Sequence, residues 1–280
     1  MIKSRRQRPE IVTGWATATP AVGPRFGWSR VANRYTAVGL AAVGVAVAAW
    51  SWAATRTLPL FLPSPADVWT GTVQIAQEGL LQADVLSSYE RVLIGWALGG
   101  LVGIPLGLLA GRARLVSAAV APFVNFFRFV PPIALISLAI IWFGIGESSK
   151  IMLIFYASMF LVFLNTTAGS TSVNVEKLRA AESMGASRVR TFLFVILPAT
   201  LPSIAVGLRV AMSNSFSAVV AAELVAAQTG IGFLIFSSRL LGRTDLVFVG
   251  ILFLGAMGFV ADVAFRRIVG LVAYRYEIHL

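Results

Sequence analysis

The 280-residue sequence contains no cysteine, and its one histidine, His279, is the next-to-last residue. The absence of cysteine excludes disulfides and thiolate metal ligands. A single histidine so close to the C-terminus argues against imidazole catalysis or a histidine metal site. The phosphate-binding loop G-x-x-x-x-G-K-[ST] and the motifs G-x-S-x-G and H-E-x-x-H are also missing. We therefore predict a chain that is not an enzyme and has no cofactor or metal of its own, so that any energised work requires a partner protein.

Charge is also scarce. Charged residues make up 12% of the chain, about half of the roughly 25% that is usual for soluble domains. Hydrophobic residues make up 58%, and the mean hydropathy is +0.82. With several long apolar runs, these values predict an all-α polytopic membrane protein. The net charge of +11 then reflects basic cytoplasmic loops rather than nucleic-acid binding.

Six apolar segments are long enough to be transmembrane helices. They are expected at about 36–54, 89–110, 116–143, 151–168, 192–226 and 246–265. Residues 1–34 read as a basic cytoplasmic tail, either disordered or lying on anionic lipid headgroups, and 35–280 as one transmembrane domain. Segment 58–82 is expected to be amphipathic along the outer face, and 230–242 to be a short outer interfacial or re-entrant segment.

Basic residues on the loops predict the orientation. Lys and Arg accumulate in the N-terminal tail, after the second expected span, in 177–190, and after the sixth span, whereas the alternate loops carry a smaller excess. Because basic loops stay in the cytoplasm, both termini are expected there.

The second expected span carries a glycine at every fourth position, namely Gly95, Gly99, Gly103 and Gly107. This period places all four on one helical face, where the absence of side chains permits a second helix to approach closely.

Polar residues at membrane depth are the candidates for a translocation path. Arg128 precedes Pro131 and Pro132, which favour a kink in the third span. Arg128 either faces the path, where it would attract an anion, or snorkels to the cytoplasmic interface.

The other path candidates lie in the fourth and fifth spans. Asn214 either lines the path or bonds across helices, Glu223 either lines it or pairs with a base, and Asn165 either lines it or packs at the end of its span. The full set in these two spans is Asn165, Arg209, Asn214, Ser217 and Glu223.

The segment 179–198, RAAESMGASRVRTFLFVILP, is polar at its start and apolar at its end. Its pattern resembles E-A-A-x3-G-x9-I-x-L-P, the cytoplasmic loop of permeases of ATP-binding-cassette (ABC) importers. Together with LPSPADVW, SSYERVLIGWALGGLVGIPLGLLAG, FFRFVPPIALISLAIIWFGIGESSKI and GRTDLVFVGIL, it makes residues 62–274 similar to the nitrate, sulfonate, taurine and bicarbonate branch.

The resemblance implies the type I importer (MetI-like) permease fold with six transmembrane helices in a bacterial inner membrane. It also implies a homodimer or pseudo-dimer of permeases, two ATPase subunits that bind ATP and Mg²⁺, and an extracytoplasmic substrate-binding protein. The solute would be a small anion or zwitterion, imported by alternating access.

By the same resemblance, a coupling helix at about 176–191 docks on the ATPase. The matching residues are Arg179, Ala180, Ala181, Glu182, Gly185, Ala186, Leu197 and Pro198. Arg179 stands where the family has Glu, so either the ATPase surface compensates or an Arg179–Glu182 pair supports the helix.

Two other functions are weighed against the importer. A secondary transporter acting alone would need membrane carboxylates to carry protons, and Glu223 and Asp262 are the main candidates. A membrane enzyme would need a cluster of titratable residues at depth, which the sequence does not show.

Overall fold

The computed structural model describes residues 28–272, and the side chains in that range except those of 28–35, 225, 226 and 272. All the regular elements in this range are helical. Helix α1 begins at Trp28, inside the segment that was expected to be a tail. Residues 1–27 and the C-terminal His279 lie outside the described residues.

The chain divides into two compact units, of residues 1–49 and 50–280. Most of α1 belongs to the first, and the helices from α2 onward belong to the second. The helices are α1 (Trp28–Ala54), α2 (Pro65–Gln77), α3 (Leu80–Arg112), α4 (Arg114–Phe127), α5 (Ile136–Phe143), α6 (Glu147–Thr171), α7 (Val175–Ser183), α8 (Arg188–Thr191), α9 (Leu197–Ala226), α10 (Ile231–Leu240) and α11 (Thr244–Val272).

Five of the described helical segments are long and apolar enough to cross a membrane: Thr36–Ala54, Leu80–Arg112, Glu147–Thr171, Arg188–Leu224 and Thr244–Leu271. A sixth span exists if Arg114–Phe127 and Pro132–Phe143, which meet at a bend of 93°, count as one. The expectation of one helix through 116–143 is therefore wrong, because the predicted proline kink is sharp enough to break the span.

The glycine repeat packs α3 against α6, as the sequence predicts. A Cβ atom added to Gly99 would lie 2.0 Å from the Ser158 hydroxyl oxygen, and one added to Gly103 would lie 2.8 Å from the Met159 carbonyl oxygen. Gly95, Gly107 and Gly111 are similarly crowded by α6. The two backbones are thus closer than any larger residue would permit.

Helix α6 also packs closely against α9. A Cβ at Gly169 of α6 would lie 2.4 Å from the Ser203 Cβ, and one at Gly207 of α9 would lie 2.8 Å from the Asn165 Cβ. Small residues on both sides of α6 therefore bring α3, α6 and α9 into one closely packed layer. At these glycine contacts the three helices leave no room for larger side chains.

The two short segments expected at the outer face are helices, although their bounds differ. In α2, the Ser64 hydroxyl accepts a hydrogen bond from Asp67 N at 3.2 Å while Asp67 Oδ2 accepts one from Ser64 N at 2.9 Å, which is a capping box. Helix α2 ends at Gln77 and α3 begins at Leu80, so the transmembrane helix starts nine residues earlier than the expected Tyr89. Helix α10, with ten residues, is too short to cross a bilayer.

Candidate functional site: an elbow cavity and a polar loop between two spans

The polar segment between α6 and α9 contains two helices rather than the single expected helix over 176–191. Asn174 caps the start of α7 by accepting a hydrogen bond from Glu176 N at 2.7 Å. The helix ends in a turn where Gly185 N donates to Glu182 O at 2.9 Å and Ala186 N donates to Ala181 O at 3.0 Å. This pair of bonds is the Schellman motif.

Gly185 has a φ of 73°, which explains why a glycine ends α7. A side chain at this φ is strained, and no neighbouring atom lies within 4 Å of an added Cβ. Gly185 therefore has a conformational reason to be glycine within this chain, and its contact with the ATPase stays a prediction. Its function here is to terminate α7 and turn the chain toward α8.

The predicted coupling residues on α7 and just after it differ in exposure. Ala181 is buried, with 3% of its surface exposed, whereas Arg179, Ala180 and Glu182 are exposed and Ala186 is half-buried. Among the described residues, no ion pair joins Arg179 to Glu182, so the hypothesis of an internal pair is not supported. Helix α7 therefore presents a polar face to the outside and packs inward through Ala181.

Leu197 and Pro198 do not mark the start of the following span, which already begins at Arg188. A π-helical segment, Phe192–Ile196, joins α8 to α9, and Leu197 N donates to Phe192 O across it. Pro198 cannot donate to Phe194 O, and its ring would crowd that carbonyl in a regular helix. The π-helical turn accommodates the proline while the helix continues.

A cavity of about 420 Å³ lies at the elbow between α4 and α5, and it faces α6 and α9. It brings together four of the predicted path residues: Arg128, Pro131, Pro132 and Asn214. The remaining lining residues are Phe129, Val130, Tyr156, Ala157, Phe160, Leu161 and Leu164. The side chains that line the cavity are thus apolar except for the Tyr156 hydroxyl, the Asn214 amide and the Arg128 guanidinium.

Arg128 is the charged residue of this cavity, and it is exposed. Its guanidinium carbon lies 4.6 Å from the centre of the Phe129 ring, a cation–π contact that leaves the N–H groups available. Among the described residues, no carboxylate pairs with Arg128. Asn214 donates to Ala157 O at 2.9 Å, so it bonds across helices and lines the cavity at once.

The other four path candidates lie away from this cavity. Asn165 donates to Leu161 O at 2.8 Å and packs at Gly207. Arg209 binds both oxygens of Asp262, at 2.6 and 3.1 Å, and Ser217 is exposed on α9. These residues are therefore placed in helix contacts or on the surface rather than in the cavity.

Glu223 is fully buried, so it lines no open path in this structure. Arg91 Nη1 donates to Glu223 Oε1 at 2.7 Å, Ser88 Oγ donates to the same oxygen at 2.8 Å, and Gly232 N donates to Oε2 at 2.8 Å. The pairing with a base is thus the observed role of Glu223. This carboxylate joins α3 and α9 to the first turn of α10.

Arg91 extends the network to α6. Its Nε and Nη2 atoms donate to the two carboxylate oxygens of Glu147 at 2.6 and 2.8 Å, and its Nη1 donates to Thr229 O at 2.7 Å. Lys150 bonds to Glu147 at 2.9 Å, and Asp84 accepts a bond from Gly230 N at 2.7 Å. The network therefore holds the α9–α10 turn against two spans.

The sequence reasoning missed Asp84, Ser88 and Arg91 as members of this network. Their spacing was the available signal, because positions 84, 88 and 91 lie on one face of a helix. That face was overlooked because the span was expected to begin only at Tyr89.

Several apolar helices long enough to span a membrane, a cavity with one guanidinium at a broken span, and an exposed polar helix between two spans are typical of a membrane transport subunit. Residues 103–273 match the family described as "Binding-protein-dependent transport system inner membrane component". The chain belongs to this family, which confirms its assignment among the permeases of ABC importers.

Similar proteins agree with this membership. The chain is 36% identical over 251 residues to the taurine transport system permease protein TauC of Escherichia coli (strain K12), covering 87% of this chain and 91% of that protein. It is 31% identical over 191 residues to the nitrate import permease protein NrtB of Leptolyngbya laminosa, covering 68% and 67%.

Among solved structures, an inward-facing conformation of the MetNI methionine ABC transporter aligns with a TM-score of 0.57 at 18% identity, covering 69% of this chain and 97% of that one. This similarity confirms the MetI-like fold.

Proposed function

We propose that this permease imports a small anion or zwitterion of the nitrate, sulfonate or taurine type. Two copies of the chain form the path, two ATPase subunits bind beneath them, and a substrate-binding protein delivers the solute from outside. The chain contributes no catalytic residue and no cofactor, and ATP and Mg²⁺ bind to the ATPase. Both termini lie in the cytoplasm.

The observation that carries the coupling proposal is the position of α7. This nine-residue helix connects to α6 on one side and, through α8, to α9 on the other. Because α6 and α9 belong to the closely packed layer, a displacement of α7 is transmitted to both as a rigid-body movement. The exposed side of α7, with Arg179, Ala180 and Glu182, is the surface offered to the ATPase.

The cavity at the elbow supplies the path. Irregular backbone at membrane depth is tolerated where it lines a cavity, and Arg128 contributes a positive charge there without a carboxylate partner among the described residues. An anion that enters the cavity is therefore attracted, and the otherwise apolar lining binds it weakly enough for release.

The ion-gradient alternative is less well supported. A proton-carrying carboxylate must change its protonation state during the cycle. Glu223 is paired with Arg91 at 2.7 Å and Asp262 with Arg209 at 2.6 Å, so both carboxylates are engaged in ion pairs between helices rather than placed in an open path.

Reconstitution in vesicles tests the proposal. The permease is co-expressed with a candidate ATPase and binding protein from the same organism and assayed for uptake of nitrate, taurine and an alkanesulfonate. We expect uptake that requires both ATP and the binding protein. Uptake by the permease alone, driven by a proton gradient, would support the secondary transporter instead. Protease protection of tags at the two ends tests the orientation.

A further inference from the structure

The elbow between α4 and α5 interrupts the regular helical hydrogen bonds. In a regular helix, the N–H of residue 131 would bond to Phe127 O, and that of residue 132 would bond to Arg128 O. Both positions are proline, which has no N–H. A short turn follows α4 instead, in which Val130 N donates to Phe127 O at 2.9 Å.

Tyr156 of α6 fixes this turn with its side chain. Its hydroxyl lies 2.5 Å from Phe127 O and 3.2 Å from Val130 O. One of these oxygens belongs to the last residue of α4, and the other belongs to the residue that directly precedes Pro131. The hydroxyl therefore contacts both ends of the turn that leads from α4 into the bend.

The ring of Tyr156 is held firmly. The residue is 8% exposed, and its ring packs edge-to-face on Phe160 at 5.1 Å between centres. It projects from α6, the helix whose glycine contacts fix it between α3 and α9. The hydroxyl is thus a fixed point against which the elbow is held.

Free volume lies on both sides of this contact. The elbow cavity of about 420 Å³ and an apolar cavity of about 250 Å³ are both lined by Tyr156 and Phe160. The apolar cavity is also lined by Leu135 and by the α5 residues Leu138, Ala139 and Trp142. Helix α5 therefore has space in which to move once the hydroxyl contact is broken.

We propose that Tyr156 is a positioning residue that sets the angle between α4 and α5 and thereby holds Arg128 at the cavity. With the hydroxyl bonded, the elbow keeps the bend of 93°. When the bond breaks, α5 moves into the apolar cavity and Arg128 leaves its position. The part of this inference that concerns transport rests on the proposed function, whereas the part that concerns the bend does not.

The bend can be measured directly, because the chain has no cysteine. Cysteines introduced at Leu115 of α4 and Ile141 of α5, which are 88% and 77% exposed, carry spin labels on the two arms. The full-length chain is placed in lipid nanodiscs with excess unlabelled chain, so that pulsed electron paramagnetic resonance reports distances within one copy.

The informative variant is Tyr156→Phe, and the matched control is Tyr89→Phe. Tyr89 also donates its hydroxyl to a backbone carbonyl, Met257 O at 2.7 Å, but away from the elbow. We expect a single narrow distance distribution for the wild type and Y89F, and a shifted or broadened one for Y156F. Incorporating 4-aminophenylalanine at position 156, which restores a donor, should restore the narrow distribution. A Y156F distribution that matches that of Y89F would overturn the proposal.

Transport gives a second readout. In the reconstituted importer, Y156F should lower solute uptake per ATP hydrolysed about fivefold, the shift in equilibrium that corresponds to one neutral hydrogen bond, while Y89F should leave it unchanged. Equal coupling in the two variants would contradict the transport part of the inference. Failure of the wild type to show ATP-dependent uptake would instead contradict the proposed function, and the distance measurement would still decide whether Tyr156 sets the bend.

Discussion

Replacing Arg91 with methionine should destabilise the protein more than any exposed charge substitution. Methionine approximates the aliphatic part of arginine, so most of the packing is kept while the charge is lost. Glu223, which is fully buried, would keep bonds from Ser88 and Gly232 but lose its ionic partner, and Glu147 would lose two bonds.

The magnitude follows from burial. Removing one partner of a buried ion pair leaves an uncompensated charge and costs about 3–5 kcal/mol. At roughly 2–4 °C per kcal/mol for a chain of this size, the unfolding midpoint should fall by about 6–20 °C. Arg243 is the matched control, since its pair with Asp245 at 2.8 Å is 41% exposed on the arginine side. Arg243→Met should cost at most about 1 kcal/mol.

Thermal unfolding of the purified full-length chain, followed by intrinsic tryptophan fluorescence, measures both variants under one condition. The double variant Arg91→Met with Glu223→Leu removes both charges, so it should recover part of the loss. Equal shifts for Arg91→Met and Arg243→Met would refute the reasoning that burial of the Arg91 network sets its importance.

Two further substitutions test the layer and the polar loop. Gly99→Ala should lower the melting temperature, because its Cβ would lie 2.0 Å from the Ser158 oxygen. Gly255→Ala is the control. Its Cβ would have no atom within 4 Å, so the same melting experiment should show no change or a slight stabilisation. Gly185→Ala should lower the local stability of α7 and α8 by about 1–2 kcal/mol, because the φ of this residue is 73°. Hydrogen exchange of the α7 and α8 amides measures this loss. Unchanged protection there would show that the turn does not require glycine.

The sequence predicted the features that depend on local periodicity. Glycines four residues apart identify a packing face in any helix, and consecutive prolines identify a break, so the α3–α6 contact and the elbow were both foreseeable. Neither pattern predicts the angle of the bend between α4 and α5. That angle depends on Tyr156, which lies 25 residues from Pro131 along the chain and showed no signal of its own.

Features that depend on distant partners were missed for the same reason. Asp84 made the start of α3 look like an outer loop, because a carboxylate there is costly in a membrane unless it is bonded. Its partner is Gly230 N, 146 residues away. The role of Gly185 at the end of α7 depends on a backbone φ of 73°, which cannot be read from the sequence.

The proposed contact between the exposed face of α7 and an ATPase that drives transport is tested most directly by cross-linking from single cysteines in the assembled importer. Ala180→Cys places a cysteine on α7. Leu241→Cys, after α10, is the control at the other end of α9. We predict ATP-sensitive cross-links from position 180 to the ATPase and none from position 241. Cross-links from position 241 alone, or equal cross-links from both positions, would contradict the account.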